Sequence, residues 1–163
     1  MDSSYNFSFS RSIKAIKNNQ NYYAPSEGLP ELRQAIAEKE KRKGLLTTED
    51  DIIVTNGVSE GLEMLMASIV ESGDEVLIPG PYYPPYASYV RLFGGIPVEF
   101  AVDLNNSTPD LDDIKSKITS KTVAICFISP NNPTGAVFSE KSLKDLIDIA
   151  IKNDLYIICD EIY

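Results

Sequence analysis

Four short segments hold most of the residues that could do chemistry: Asn56-Gly57-Val58-Ser59-Glu60-Gly61, Pro79-Gly80-Pro81-Tyr82-Tyr83-Pro84-Pro85-Tyr86, Ser129-Pro130-Asn131-Asn132-Pro133-Thr134-Gly135 and Asp160-Glu161-Ile162-Tyr163. The first opens a helical pattern, so backbone N–H groups at its start, together with the helix dipole, can hold a phosphate. The second offers aromatic faces on a proline-stiffened loop. The third offers side-chain amides in a turn, and the fourth two carboxylates and a phenol. Each segment follows an apolar, β-rich run. In an open α/β sheet ligands bind beyond the carboxyl ends of the strands, so all four are expected to share one edge.

Taken singly, each segment has a plainer reading. Gly57-x-Ser59-x-Gly61 matches the nucleophile elbow of α/β-hydrolases, but the chain has no histidine to serve as general base. It also resembles the glycine turn of short-chain dehydrogenases, yet no tyrosine has a lysine four residues later. A phosphate cradle and a glycine turn for tight packing both stay open for this segment. The acidic pair Asp160-Glu161 could end a nucleotide-hydrolase strand, but no G-x-x-x-x-G-K-[ST] loop accompanies it. A strand-end carboxylate can also cap a neighbouring helix. The tyrosine-proline segment reads as a packed loop, and Asn-Pro-Thr-Gly as a turn.

The elements that must position these segments follow from the apolar pattern. The chain has 163 residues, enough for one domain, and is 43% hydrophobic, enough for a core. Lys plus Arg number 15 against 24 Asp plus Glu, a net charge of −9, which argues against nucleic acid or an anionic membrane as partner. Strands are predicted at Ile52–Thr55, Glu75–Ile78, Ile96–Phe100, Thr122–Ile128 and Leu155–Cys159. Between them, Leu62, Leu65, Met66, Ile69 and Val70 keep the spacing of one helical face. Leu143, Leu146, Ile147 and Ala150 do the same behind an N-cap at Ser139. A shorter helix runs Leu111–Ile118, and a weaker one Pro85–Phe93. Before these, residues 1–29 read as irregular entry with a short helix at Ser10–Lys17. A clear helix then begins at Pro30 and stops at Gly44. Strands joined by helical crossovers predict an α/β fold with a mainly parallel sheet flanked by helices. Cys126 and Cys159 read as small buried hydrophobes in a reducing compartment. No window is apolar enough to span a membrane and the N-terminus lacks a signal-peptide pattern, so a cytoplasmic location is expected.

Together the segments carry a resemblance. Tyr23-x-x-x-x-Gly28, Leu32-Arg33, Thr55-Asn56-Gly57-Val58-Ser59, Pro81-Tyr82-Tyr83-Pro84-x-Tyr86, Asn131-Asn132-Pro133-Thr134-Gly135 and Asp160-Glu161-Ile162-Tyr163 resemble, in this order, the large domain of class I/II aminotransferases. These are fold-type I enzymes that use pyridoxal 5′-phosphate (PLP). The wording of Gly57–Gly95, and of Pro109–Ile118 leading to Asn131–Val137, is similar to alanine aminotransferase-like members. The resemblance implies a small-molecule amino acid and a 2-oxo acid as substrates. It divides the chain into an entry segment, 1–29, and a partial PLP-binding large domain, 30–163. It also implies roles. Asp160 would pair with the pyridine nitrogen and favour the protonated ring. Asn132 and Tyr163 would hydrogen-bond the phenolic oxygen, and Tyr83 would stack on the ring. Backbone N–H groups of Gly57, Val58 and Ser59 would bind the phosphate. Tyr23 would reach the phosphate of a neighbouring subunit's cofactor, which makes a homodimer part of the site. Arg33 matches the family too, but reads equally as an ordinary helix-surface ion pair.

The family's Schiff-base lysine, in a Ser-x-Ser-Lys-like context well past Asp-x-x-Tyr, matches no lysine of this sequence. With no helix after the last apolar strand, the sequence reads as cut off. Two readings follow: part of an aminotransferase that lacks this lysine, or a non-catalytic PLP-binding or dimerisation module.

Overall fold

Proline and glycine punctuate the chain where the helices start and stop. The computed structural model describes residues 3–163, with side chains from residue 8 onward. The chain divides into two compact units, residues 1–55 and 56–163.

In the first unit, helix α1 spans Ser3–Lys17, longer than the short helix expected within an irregular entry. Helix α2 spans Pro30–Arg42, with proline in its first turn and Lys39, Lys41 and Arg42 in its last, where cations complement the dipole. Gly44 follows at φ +93°. Arg33 is structural in this unit. Its Nε donates to the carbonyls of Glu49 and Ile52, each at 3.0 Å, and its Nη2 to Glu49 at 2.6 Å. An ion pair with Asp50 at 3.5 Å is the smaller part of its bonding. These carbonyls belong to or follow a 3-10 turn at Glu49–Asp51, which a Thr48–Asp51 capping box starts.

The expected strand at Ile52–Thr55 is corrected here: those residues are irregular. Val54 donates its N–H to the Glu27 carbonyl at 2.9 Å, in the loop before α2, and no sheet ladder forms. The close fit explains Gly28, where an added Cβ would lie 2.6 Å from the Val54 side chain.

The second unit is a five-stranded sheet. Helix α3 (Val58–Ile69) precedes strand β1 (Glu75–Gly80); helix α4 (Pro85–Leu92) leads to β2 (Ile96–Asp103). A short β3 (Thr108–Pro109), absent from the sequence reading, pairs antiparallel with β2 at the sheet edge. Helix α5 (Leu111–Lys117), β4 (Thr122–Ile128), α6 (Glu140–Lys152) and β5 (Tyr156–Asp160) complete it. Strand order is β3-β2-β1-β4-β5, and all pairs but β2–β3 are parallel. Chain connections leave β1 toward β2 and reach the other flank through β4, so the order reverses between β1 and β4. That is the switch point at which open α/β sheets take ligands.

The central strands alternate sides between two apolar cores. Val76, Ile78, Ala124, Cys126 and Ile128 pack with Leu62 and Met66 of α3 and Tyr86 and Val90 of α4. Leu77, Ile125 and Phe127 pack with Ile114 of α5 and Leu146 and Ala150 of α6. Both faces of β1 and β4 are thus covered, which is why their sequences are almost continuously apolar. Ser139 caps α6 as its position predicts, its hydroxyl accepting from the Ser142 N–H at 3.1 Å.

Strand β5 is an edge strand and behaves differently. Ile158 points into the α3–α4 core, while Tyr156, Ile157 and Cys159 are exposed. The expectation that both cysteines are buried is therefore right for Cys126 and wrong for Cys159. An apolar run shows only that a strand exists; Ile157 and Cys159 lie on the face opposite Ile158, and Tyr156, on Ile158's own face, is exposed at the first position of the strand.

Candidate functional site

Three of the four chemistry-bearing segments leave the carboxyl ends of β1, β4 and β5. Register aligns two of them, since Ile128 of β4 lies opposite Asp160 of β5. The fourth segment follows the irregular residues 52–55 rather than a strand, and enters as the first turn of α3. A cavity of about 220 Å³ lies where these ends meet, lined by Val58, Ser59, Tyr83, Asn132, Asp160 and Tyr163, with Leu62, Tyr86, Ile128 and Ile162 filling its apolar parts.

Gly57 is the N-cap of α3, at φ +83° and ψ 169°. That backbone region is essentially restricted to glycine, and no atom lies within 4 Å of where a Cβ would be. Conformation, not space, demands glycine here. Residues Val58 and Ser59 open the helix, where N–H groups have no carbonyl one turn earlier to bond. Glu60 turns its carboxylate back to accept from the Asn56 N–H, which orders the turn ahead of them.

Asp160 closes β5 with both carboxylate oxygens engaged. Oδ1 accepts from the Ile162 N–H at 3.0 Å, and Oδ2 accepts from the Tyr86 hydroxyl. Tyr86 is almost wholly buried, and burial first, then the hydrogen bond and charge of Asp160, push its phenol far above the ordinary tyrosine range. It therefore acts as a donor at any physiological pH. Across the cavity the Asn132 side-chain N–H donates to the Tyr163 hydroxyl at 3.3 Å. Tyr83 is 41% exposed and lines the same cavity.

The structure thus brings six of the expected residues to one cavity, with Gly57 directly before two of them. Tyr23 belongs to the first unit, is 90% exposed, and meets Tyr22 edge-on at 5.2 Å between ring centroids. Sequence reasoning quoted Tyr86 without a role. Its spacing three residues past Tyr83, on a helix begun by two prolines, was the available signal. The partner it bonds lies too far along the chain for spacing to reveal.

The buried groups behind Asp160 predict a pH dependence. Burial, with a smaller push from Asp160, raises the Cys126 thiol to about 12 from its usual 9. The unfolded chain then binds fewer protons than the folded one from pH 9 upward, so stability falls as pH rises through this window. Tyr86 extends the fall above its own ordinary value of 10. Urea unfolding at pH 7, 9 and 11 is expected to show stability declining only above pH 9, and Cys126→Ala to flatten part of the decline. An unchanged slope in that variant would remove Cys126 from the account.

Residues 8–163 match the family model described as aminotransferase class I and II. The chain belongs to this family. Among its relatives, the glutamate-pyruvate aminotransferase AlaA of Haemophilus influenzae is 46% identical over 143 residues, which covers 86% of this chain and 35% of that protein. The probable aspartate/prephenate aminotransferase of Aquifex aeolicus is 40% identical, over 93% of this chain and 39% of the relative. A solved structure of an alanine aminotransferase from Pyrococcus furiosus superposes with a TM-score of 0.90 at 50% identity, covering 93% of this chain and 39% of that one. The chain therefore spans well under half the length of the relatives it matches. As an aminotransferase-family chain of fold type I, it has the mostly parallel sheet with flanking helices expected of the large domain. No helix among the described residues is long and apolar enough to cross a membrane.

Proposed function

We propose that this chain carries the pyridoxal 5′-phosphate site of an aminotransferase that moves an amino group between an amino acid, alanine or glutamate, and a 2-oxo acid. The observation that carries this reading is the common cavity lined by Val58, Ser59, Tyr83, Asn132, Asp160 and Tyr163. Its donor set fits the group. An α3 N-terminus suits a phosphate, a carboxylate suits a protonated ring nitrogen, an amide and a phenol suit a phenolic oxygen, and a tyrosine ring suits an aromatic face. When bound, such a cofactor supplies an electron sink for the charge left at the substrate's Cα.

The chain's own residues would then work as follows. Asp160 holds a proton on the ring nitrogen, and its hydrogen bonds from Tyr86 and the Ile162 N–H fix the carboxylate's orientation. Asn132 and Tyr163 donate toward the phenolic oxygen, their mutual hydrogen bond keeping both at one wall. Tyr83 covers one ring face and excludes water from it. We also assign Tyr23 to the phosphate of a neighbouring copy's cofactor, which makes a homodimer part of the site; its exposed ring supports that reach.

Titration with PLP, followed by tyrosine fluorescence quenching, tests the site. Saturable binding is expected, and weaker binding of pyridoxal, which lacks the phosphate. Equal affinity for the two would remove the α3 N-terminus from the site, and no binding would sink the cofactor assignment. Addition of a polypeptide supplying the rest of the family sequence is expected to give 2-oxo-acid-dependent consumption of alanine. Binding without that activity, once a complex is confirmed, would favour a non-catalytic module.

A further inference from the structure

We infer that Asn131 is a positioning residue whose side chain ties the loop after β1, which carries Tyr83, to the loop after β4, which carries Asn132. Its Nδ2 donates to the Pro81 carbonyl at 3.0 Å, across 50 residues of chain. The residue is 3% exposed, so water competes little for that bond. Its backbone is anchored independently: the Asn131 N–H donates to the Ala136 carbonyl at 2.9 Å, and the Gly135 N–H to the Asn131 carbonyl at 2.7 Å. The side chain therefore projects from a closed turn toward the facing loop.

Two features say that this amide serves geometry rather than stability. Its Oδ1 is buried and, among the described residues, no donor reaches it. One buried hydrogen bond offset by one orphaned acceptor is close to neutral for folding. The other feature is the proline content of the two loops. Pro81 and Pro84 in the first loop and Pro130 and Pro133 in the second carry no N–H, so backbone donors that could join the loops to each other are fewer, and a side-chain amide takes their place. A cavity beside the main one, lined by Asn131, Asn132, Gly135 and Tyr163, leaves the β4 loop room to shift if the tie is cut.

The tie itself stands on geometry; only its importance for ligand binding rests on the cofactor reading. Hydrogen exchange of the cofactor-free chain, read by mass spectrometry, tests it with Asn131→Ala. Exchange roughly ten-fold faster is expected in peptides covering 82–88 and 131–137 together, the factor that loss of one typical hydrogen bond allows. Peptides from α5 and α6 should not change, and the urea midpoint should stay close to that of the unaltered chain. Faster exchange in residues 131–137 alone, or in neither loop, would overturn the tie. A general loss of protection would make Asn131 a core residue instead. Should Asn131→Ala fail to fold, Asn131→Leu, which keeps a similar shape and has no polar atom to donate or to leave orphaned, gives the same readout. PLP titration of the unaltered chain judges the cofactor reading separately: its failure with both loops loosened would sink that reading and leave the tie standing.

Discussion

Replacing Asp160 with asparagine is expected to weaken PLP binding by roughly ten- to a hundred-fold, the range that corresponds to losing a hydrogen bond to a charged group. The substitution separates charge from architecture. An asparagine oxygen can still accept from Tyr86 or from the Ile162 N–H, the two groups that engage the carboxylate now. It cannot offer a negative charge to a ring nitrogen. The folded state should therefore survive Asp160→Asn with a modest loss, while Asp160→Ala also strands the buried Tyr86 hydroxyl, at a cost of about 1–3 kcal/mol. Nitrogen-15 NMR of ring-labelled PLP gives the decisive signal: the bound nitrogen should titrate as protonated near neutral pH with Asp160 and as unprotonated with asparagine. An unchanged nitrogen shift would place the ring nitrogen elsewhere, whatever the affinity did.

Gly57→Ala is expected to destabilise the chain by about 1–3 kcal/mol, the cost of holding a residue with a Cβ in a sparsely populated backbone region. Nothing crowds the added methyl, since no atom lies within 4 Å of its position. The strain can be relieved only by turning the peptide at the start of α3, and that swings the N–H groups of Val58 and Ser59 away from the cavity. Affinity for PLP should fall, and affinity for phosphate-free pyridoxal should change little. A variant that loses both equally would show that the α3 turn supports the whole cavity rather than one end of it.

The legible parts of this molecule were those set by short-range chemistry. Thr122–Ile128 was read with its true bounds because a central parallel strand must be apolar on both faces. Ser139 announced α6 because an N-cap needs only its own helix. Ile52–Thr55 has the same β-rich composition as a true strand, but strand formation depends on a partner, and its partner is the Glu27 carbonyl rather than a ladder. The antiparallel pair Thr108–Pro109 has only two residues and no periodicity to detect. In the site, the resemblance carried by the motifs named six of the residues that line the cavity, but gave no role to Tyr86, Leu62, Ile128 or Ile162. The Tyr86–Asp160 and Asn131–Pro81 bonds were invisible because they join points 74 and 50 residues apart. Arg33 shows the opposite case: its match to the family motif was visible, while its work proved to be holding backbone carbonyls within the first unit.

The two-residue strand β3 has a consequence for handling the protein. It finishes the sheet beyond β2 with Thr108 and Pro109, and a proline has no N–H to offer an incoming strand, so this rim is a poor template for pairing with another chain. Mutual repulsion between molecules that each carry a net charge of −9 acts in the same direction, and added salt shortens its reach to roughly 10 Å at 0.1 M.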